Sequence, residues 1–189
     1  MSTVKILGSS TGTANFTVTV PSGTSTDRTL TLPDNTGTIL TTGTAGVPVN
    51  GPAFSAYRSG NQAISSSTYT KIQFNAEEFD TNNCYDSTTN YRFTPTVAGY
   101  YQVNGSFNNG PSTSPTAASI GIFKNGSAFK YGTYITAGTG MSVNVSNVVY
   151  LNGSTDYVEI YAYIVASSPS IEGSSVANSY FSAALVRAA

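Results

Sequence analysis

The sequence predicts an all-β protein made of antiparallel strands. Three observations lead there. Thr, Ser, Gly, Asn, Val and Tyr dominate the composition, and runs of Ala, Leu, Glu and Lys with helical spacing are absent. Segment after segment alternates apolar and polar residues with a period of two, as a half-buried strand requires. Between these segments stand turn formers, notably Asn125-Gly126 and Asn152-Gly153. Ser, Thr and Gly at this level would also suit a disordered chain, but 12% aromatic residues argue for a packed core over most of it.

Composition also narrows function. A chain of 189 residues has room for one sizeable domain and an extension. Only 9% of residues are charged and the net charge is -1, so no electrostatic footprint for nucleic acid or an anionic membrane is expected. No stretch is long and apolar enough to insert in a membrane, and Met1 to Ser10 lacks the apolar core of a signal peptide. Cys84 is the single cysteine, which rules out an intrachain disulfide framework. With no histidine, a His-dependent triad cannot form, and zinc would lack its usual ligands. No glycine-rich phosphate loop followed by Lys-Ser/Thr occurs. The expectation is therefore no enzyme, no catalytic residue, no cofactor and no metal. Glu77, Glu78, Asp80 and Asp86 lie close in sequence without calcium-loop spacing, and read as a solvated loop.

In chain order, residues 1–42 form a β-rich arm. Val4 to Leu7, Phe16 to Val20, Thr29 to Pro33 and Thr38 to Thr42 alternate, with turns at Pro21-Ser-Gly23 and Asp34 to Gly37. These strands are too short and polar to bury a core alone, so they are expected to need partner chains or a neighbouring surface. Residues 43–51 form a Gly/Pro linker. Residues 52–189 form the head. Its expected strands are Ala53 to Tyr57, Tyr69 to Phe74, a segment ending at Phe93, and one running from Gly99 to Phe107. Pro95 to Ala98 make a corner between the last two, and Gly99 allows close backbone approach. Ala118 to Phe123 and Ala128 to Tyr131 are expected as a hairpin about Asn125-Gly126. Val143 to Leu151 and Asp156 to Val165 are expected as the next antiparallel pair, and Ser179 to Val186 as the closing strand.

Phe74, Asp80, Tyr85, Phe93, Gly99 and Tyr101 stand in an order and spacing that resembles the signature of the C1q-like (TNF-like) jelly roll. Val103 and Gly105 replace aromatic residues of that pattern. The Lys124-Asn125-Gly126 hairpin, the Val149-Tyr-Leu-Asn152 and Asp156-Tyr-Val-Glu-Ile160 segments, and the closing Phe181-Ser-Ala-Ala-Leu185 strand resemble the same family. The resemblance covers about Pro52 to Val186. It implies an antiparallel jelly-roll β-sandwich that assembles as a homotrimer, with Phe74, Tyr85, Phe93, Gly99 and Tyr101 as signature core residues. The first and last strands are the expected trimer side, through Phe54, Tyr57, Tyr180, Ser182, Ala184 and Val186.

In the arm, Leu30-Thr-Leu-Pro33, Asn35-Thr-Gly37-Thr38 and Leu40-Thr-Thr42 resemble a module of bacteriophage fibre and virion-appendage proteins. That resemblance implies a virion location, reached from synthesis in a bacterial host cytoplasm, with the arm attached to a capsid or tail protein. The head is expected to engage a host-surface glycan or protein, and Tyr131 and Tyr134, read as loop residues, are the candidate receptor contacts. Two other readings stay open at this point. One is a structural capsid cement without a receptor; the other is a cellular C1q-like lectin or adhesin.

Overall fold

The computed structural model describes residues 51–110, 114–136 and 141–189. The arm at 1–42, with its four expected strands, and linker residues 43–50 lie outside the described residues. The first part of the head forms β1 (Ala53–Tyr57), β2 (Gln62–Ala63), β3 (Thr70–Lys71), β4 (Ala76–Asp80), β5 (Tyr85–Asp86) and β6 (Arg92–Phe93). The second part forms β7 (Ala98–Asn108), β8 (Ala117–Lys124), β9 (Ser127–Thr136), β10 (Ser142–Asn152), β11 (Val158–Val165), β12 (Ser170–Ile171) and β13 (Tyr180–Ala188).

These strands make two antiparallel sheets. One runs β10-β7-β13-β1-β4, which sets the closing strand beside the opening strand at mid-sheet. The other runs β5-β6-β11-β8-β9, with β3 also paired to β11, and β2 and β12 form a small separate ribbon. Alternation decides which side chains face inward. On β7, Tyr101, Val103 and Phe107 are buried; on β10, Val143, Val145, Val149 and Leu151 are. The opposing sheet sends Ile120 and Ile122 from β8 and Val158, Ile160 and Ile164 from β11 into the same core.

At the centre lies Phe54, on β1. Its ring stacks on Tyr85 at 4.5 Å and on Phe93 at 4.7 Å, and meets Phe181 edge-on at 4.8 Å. Phe74 joins Phe181 at 5.7 Å, and Tyr101 meets Phe93 at 5.5 Å. The signature residues Phe74, Tyr85, Phe93 and Tyr101 are thus all buried in one aromatic cluster. Their polar ends are satisfied locally. Tyr85 Oη donates to the Phe74 carbonyl at 2.9 Å, and Tyr101 Oη to the Val97 carbonyl at 2.6 Å, which ties the Pro95 to Ala98 corner to β7. Gly99 does serve close approach, because a Cβ there would stand 2.5 Å from the Arg187 carbonyl oxygen.

Three expectations change. Phe54 was placed on the trimer side, but it is 1% exposed; Phe54 and Ala56 are the inward half of β1, so the outward half is Ala53, Ser55 and Tyr57. The strand expected over Tyr69 to Phe74 shortens to Thr70–Lys71, with the Ile72 N–H still donating to the Ile160 carbonyl at 2.9 Å, and Ile72 and Phe74 are buried as the alternation required. β10 and β11 do not pair with each other: β10 pairs with β7 and β11 with β8, so the turn at Asn152 to Asp156 passes from one sheet to the other. Asn152 Oδ1 accepts from the backbone N–H groups of Ser154, Thr155 and Asp156, a side-chain turn that mimics the hairpin chemistry read from the sequence. Gly105, where the family pattern has an aromatic residue, leaves no gap in the core. A Cβ there would lie 2.8 Å from Ile160 Cδ1, so the isoleucine of the opposite sheet occupies the space of the missing aromatic.

Two stability outcomes follow from this packing. Phe54→Ala should lower unfolding free energy by about 3–5 kcal/mol in urea titration, as for other large-to-small core changes. Gly105→Ala should lower it by about 1–3 kcal/mol through overpacking, and Ile160→Val in the same chain should recover part of that loss. A double mutant no more stable than Gly105→Ala alone would show that Ile160 does not set the limit.

Candidate functional site

Two outward faces present side chains for contact, one on each sheet. On the five-stranded sheet, the register places outward residues in rows across the strands. Tyr57, Tyr180, Ser106 and Asn144 form one row; Ser55, Ser182, Asn104 and Ser146 the next; Ala53, Ala184, Gln102 and Val148 a third. The middle is polar and hydrogen-bonded: Gln102 Nε2 donates to Ser146 Oγ at 2.8 Å, and Ser146 Oγ to Asn104 Oδ1 at 2.8 Å. Beyond the third row, Tyr100 and Tyr150 lie opposite each other with ring centroids 5.5 Å apart, and both are exposed. A register shift between Leu185 and Arg187 sets Val186 outward beside them, where Tyr100, Val186, Arg187, Ala188 and Ala189 line an open hollow.

Of the residues expected on the trimer side, Tyr57 and Ser182 are partly exposed on this face, and Tyr180, Ala184 and Val186 are exposed. Phe54 is not on it. Sequence reading missed Tyr100, Gln102, Asn104, Ser146 and Val148, and took Tyr150 only as a core or subunit-contact residue. Their signal was the outward half of the β7 and β10 alternation, which only the strand order brings next to β13.

The second face belongs to β8, β9 and β11. Tyr131 and Tyr134 are 59% and 60% exposed, but they lie on strand β9 and not in a loop. Two residues three apart on a regular strand point to opposite faces. Here Tyr131 pairs with Gly121 and Tyr134 with Ser119, so β9 carries one extra residue, and the irregularity puts both rings on the same face. Around them stand Tyr69, Phe123, Tyr161 and Tyr163. Tyr69 lies 5.1 Å from Tyr131, 5.2 Å from Tyr163 and 5.9 Å from Phe123, and Phe123 stacks on Tyr161 at 3.9 Å. Gly121 leaves a floor under this group, since a Cβ there would stand 3.1 Å from the Tyr131 ring. Below Tyr161, the Lys71 ammonium pairs with the buried Glu159 carboxylate at 2.7 Å.

The acidic residues near Asp80 have local tasks. Glu78 accepts from Ser55 Oγ at 2.6 Å, Glu77 from Ser87 Oγ, and Asp80 from the Tyr85 N–H at 2.7 Å. Asp86 accepts from the backbone N–H groups of Thr88, Thr89 and Asn90, and these bonds hold its carboxyl well below the usual range. Among the described residues, no group of three or more His, Cys, Asp and Glu side chains converges as a metal site would require. Cys84 is buried, with its thiol 3.5 Å from the Asn82 carbonyl.

No family model matches this chain, and no curated protein matches it by sequence. Solved structures do. Murine APRIL superposes with a TM-score of 0.55 at 9% identity, over 71% of this chain and 98% of that one. Eiger TNF from S. frugiperda superposes with a TM-score of 0.53 at 10% identity, over 77% of this chain and 96% of that one. The head is a TNF-like jelly roll. At such identities the likeness establishes the fold alone, and the jelly roll's two faces must be read from its own side chains.

Burial pushes the Tyr101 phenol up to about 12, and burial with the neighbouring Glu159 carboxylate does the same for Tyr161. An unfolded tyrosine titrates near pH 10. Between about pH 10 and pH 12 the unfolded chain loses protons that the folded jelly roll keeps. Stability should therefore hold below pH 10 and fall as pH rises toward 12. Thermal melts across that window should show the decline, and Tyr161→Phe should make it shallower.

Proposed function

We propose that this chain is a non-enzymatic bacteriophage virion protein, a trimeric short fibre or capsid decoration. Its arm at 1–42 anchors it to a capsid or tail protein, and its jelly-roll head engages a host-surface receptor or glycan. The observation that carries the assembly is the outward face of the five-stranded sheet. Tyr100, Val148, Tyr150, Tyr180 and Val186 stand exposed there around a hydrogen-bonded row of small polar side chains. A face with apolar residues at its ends and mutually bonded polar groups in its middle suits close contact between copies, because Gln102 and Ser146 keep their partners when water is expelled. The low charge of the chain supports the same reading, since subunit cores are depleted of charged residues. The virion setting rests on the Leu30 to Thr42 segment and its likeness to fibre-type arms.

Light scattering of the purified chain at micromolar concentration should give three times the protomer mass. Val148→Asp with Tyr150→Asp should yield folded monomers, with the β-sheet circular dichroism kept, because both side chains are exposed in the protomer. A wild-type monomer at that concentration would end the trimer reading. Labelled antibody against the head, viewed on intact particles by electron microscopy, tests the virion location. Adsorption that is unchanged when the protein is removed would indicate a decoration without a receptor.

A further inference from the structure

We infer that the outward face of β8, β9 and β11 is a binding site for neutral carbohydrate, with Tyr69, Tyr131 and Tyr134 as its stacking surfaces. The inference rests on the receptor-binding role proposed for the head and names the ligand chemistry and the residues. Six aromatic side chains from four segments gather on this face, outside the buried core. Tyr131 and Tyr134 are 59% and 60% exposed, and among the described residues their hydroxyls have no hydrogen-bond partner. A ring held in this way offers a flat apolar face to the C–H groups of a sugar and a free hydroxyl to its oxygens.

The backbone is arranged to present these rings. The extra residue in β9 turns Tyr131 and Tyr134 to one side, and strand irregularities of this kind re-aim side chains at binding sites. Gly121 opens the floor on which Tyr131 and Phe123 rest. Tyr69 is braced by a 3.3 Å hydrogen bond from its hydroxyl to Ser119 Oγ, so its ring is positioned before any ligand arrives. Ring spacings of 5.1 and 5.2 Å from Tyr69 to Tyr131 and Tyr163 would let successive sugar units sit on successive rings.

Charge and area select the occupant. Lys71 and Glu159 neutralise each other at 2.7 Å, and Lys130, opposite the inward-facing Ile122 in the register, lies on the other face of β9 from Tyr131. An anionic glycan or a strongly charged peptide therefore meets no matching field, whereas a neutral polyhydroxyl ligand needs none. At ~200 Å² per aromatic side chain, two well-exposed and four partly exposed rings offer about 400 Å², half of the ~800 Å² per partner in a stable protein interface. A second copy of the chain or a folded receptor domain is too large for this patch; an oligosaccharide fits it.

The test uses the full chain on immobilised oligosaccharides: neutral hexamers built from glucose, galactose, rhamnose or N-acetylglucosamine, beside sialylated and sulfated ones. Wild type should bind one or more neutral hexamers. Tyr131→Ala and Tyr134→Ala should each weaken that binding tenfold or more without shifting the thermal midpoint, and Tyr131→Phe should keep most of it, because the stacking face remains. The inference is overturned by no binding to any neutral hexamer, by binding to the acidic ones alone, or by neutral binding indifferent to both alanine variants. A parallel adsorption competition separates this site from the wider reading. If wild type and the double alanine variant block particle adsorption equally, the receptor site lies elsewhere and the receptor role stands. If wild type does not block adsorption at all, the receptor role itself fails.

Discussion

Phe54 holds the two sheets in register. Its ring touches Tyr85 from β5, Phe93 from β6 and Phe181 from β13, so one side chain joins the opening strand, the closing strand and the edge of the opposite sheet. Aromatic contacts of this kind are worth more than their buried area alone, because offset and edge-on rings also match their charge distributions. Interiors are packed to crystal-like density, so a hub of this size admits few alternative registers. If β1 slipped by one residue, Ser55 would replace Phe54 in the core, and Tyr57 would leave the outward row it shares with Tyr180.

That constraint lets each sheet turn a different surface outward. The five-stranded sheet shows small polar groups bonded to one another, with apolar residues toward the ends. The other sheet shows tyrosines, and its one buried carboxylate is neutralised from the side by Lys71. The difference suits two kinds of partner. Self-assembly needs a surface whose polar groups are satisfied before water leaves. Recognition of a small ligand needs rings with open faces and positions fixed in advance.

Departures from regular geometry occur where these surfaces are built. The register shift near Val186 moves one residue of β13 outward beside Tyr100, and the one between Ser119 and Gly121 brings Tyr131 and Tyr134 together. At the other end of β8 and β9, Asn125 and Gly126 both take positive φ, as a tight primed turn demands, and a second register shift lies close by, between Ile122 and Phe123.

The sequence by itself determined the strand content, the Asn125-Gly126 hairpin and the buried places of Phe74, Tyr85, Phe93 and Tyr101. Each follows from local rules: alternation, turn chemistry and the spacing of large apolar groups. It also named Tyr131 and Tyr134, though as loop residues. Tertiary structure alone decided the partners. Nothing local says that β10 leaves β11 for β7, because an Asn152 to Asp156 turn can close a hairpin or cross a sandwich with the same side-chain bonds. Nothing local says that Phe54 faces in while Tyr57 faces out toward Tyr180, since either phase of an alternating strand looks the same until a second sheet covers one side. The exposed ring cluster was hidden for a further reason. Its members lie from Tyr69 to Tyr163, and an extra residue in β9, which obeys no periodicity, is what aligns them.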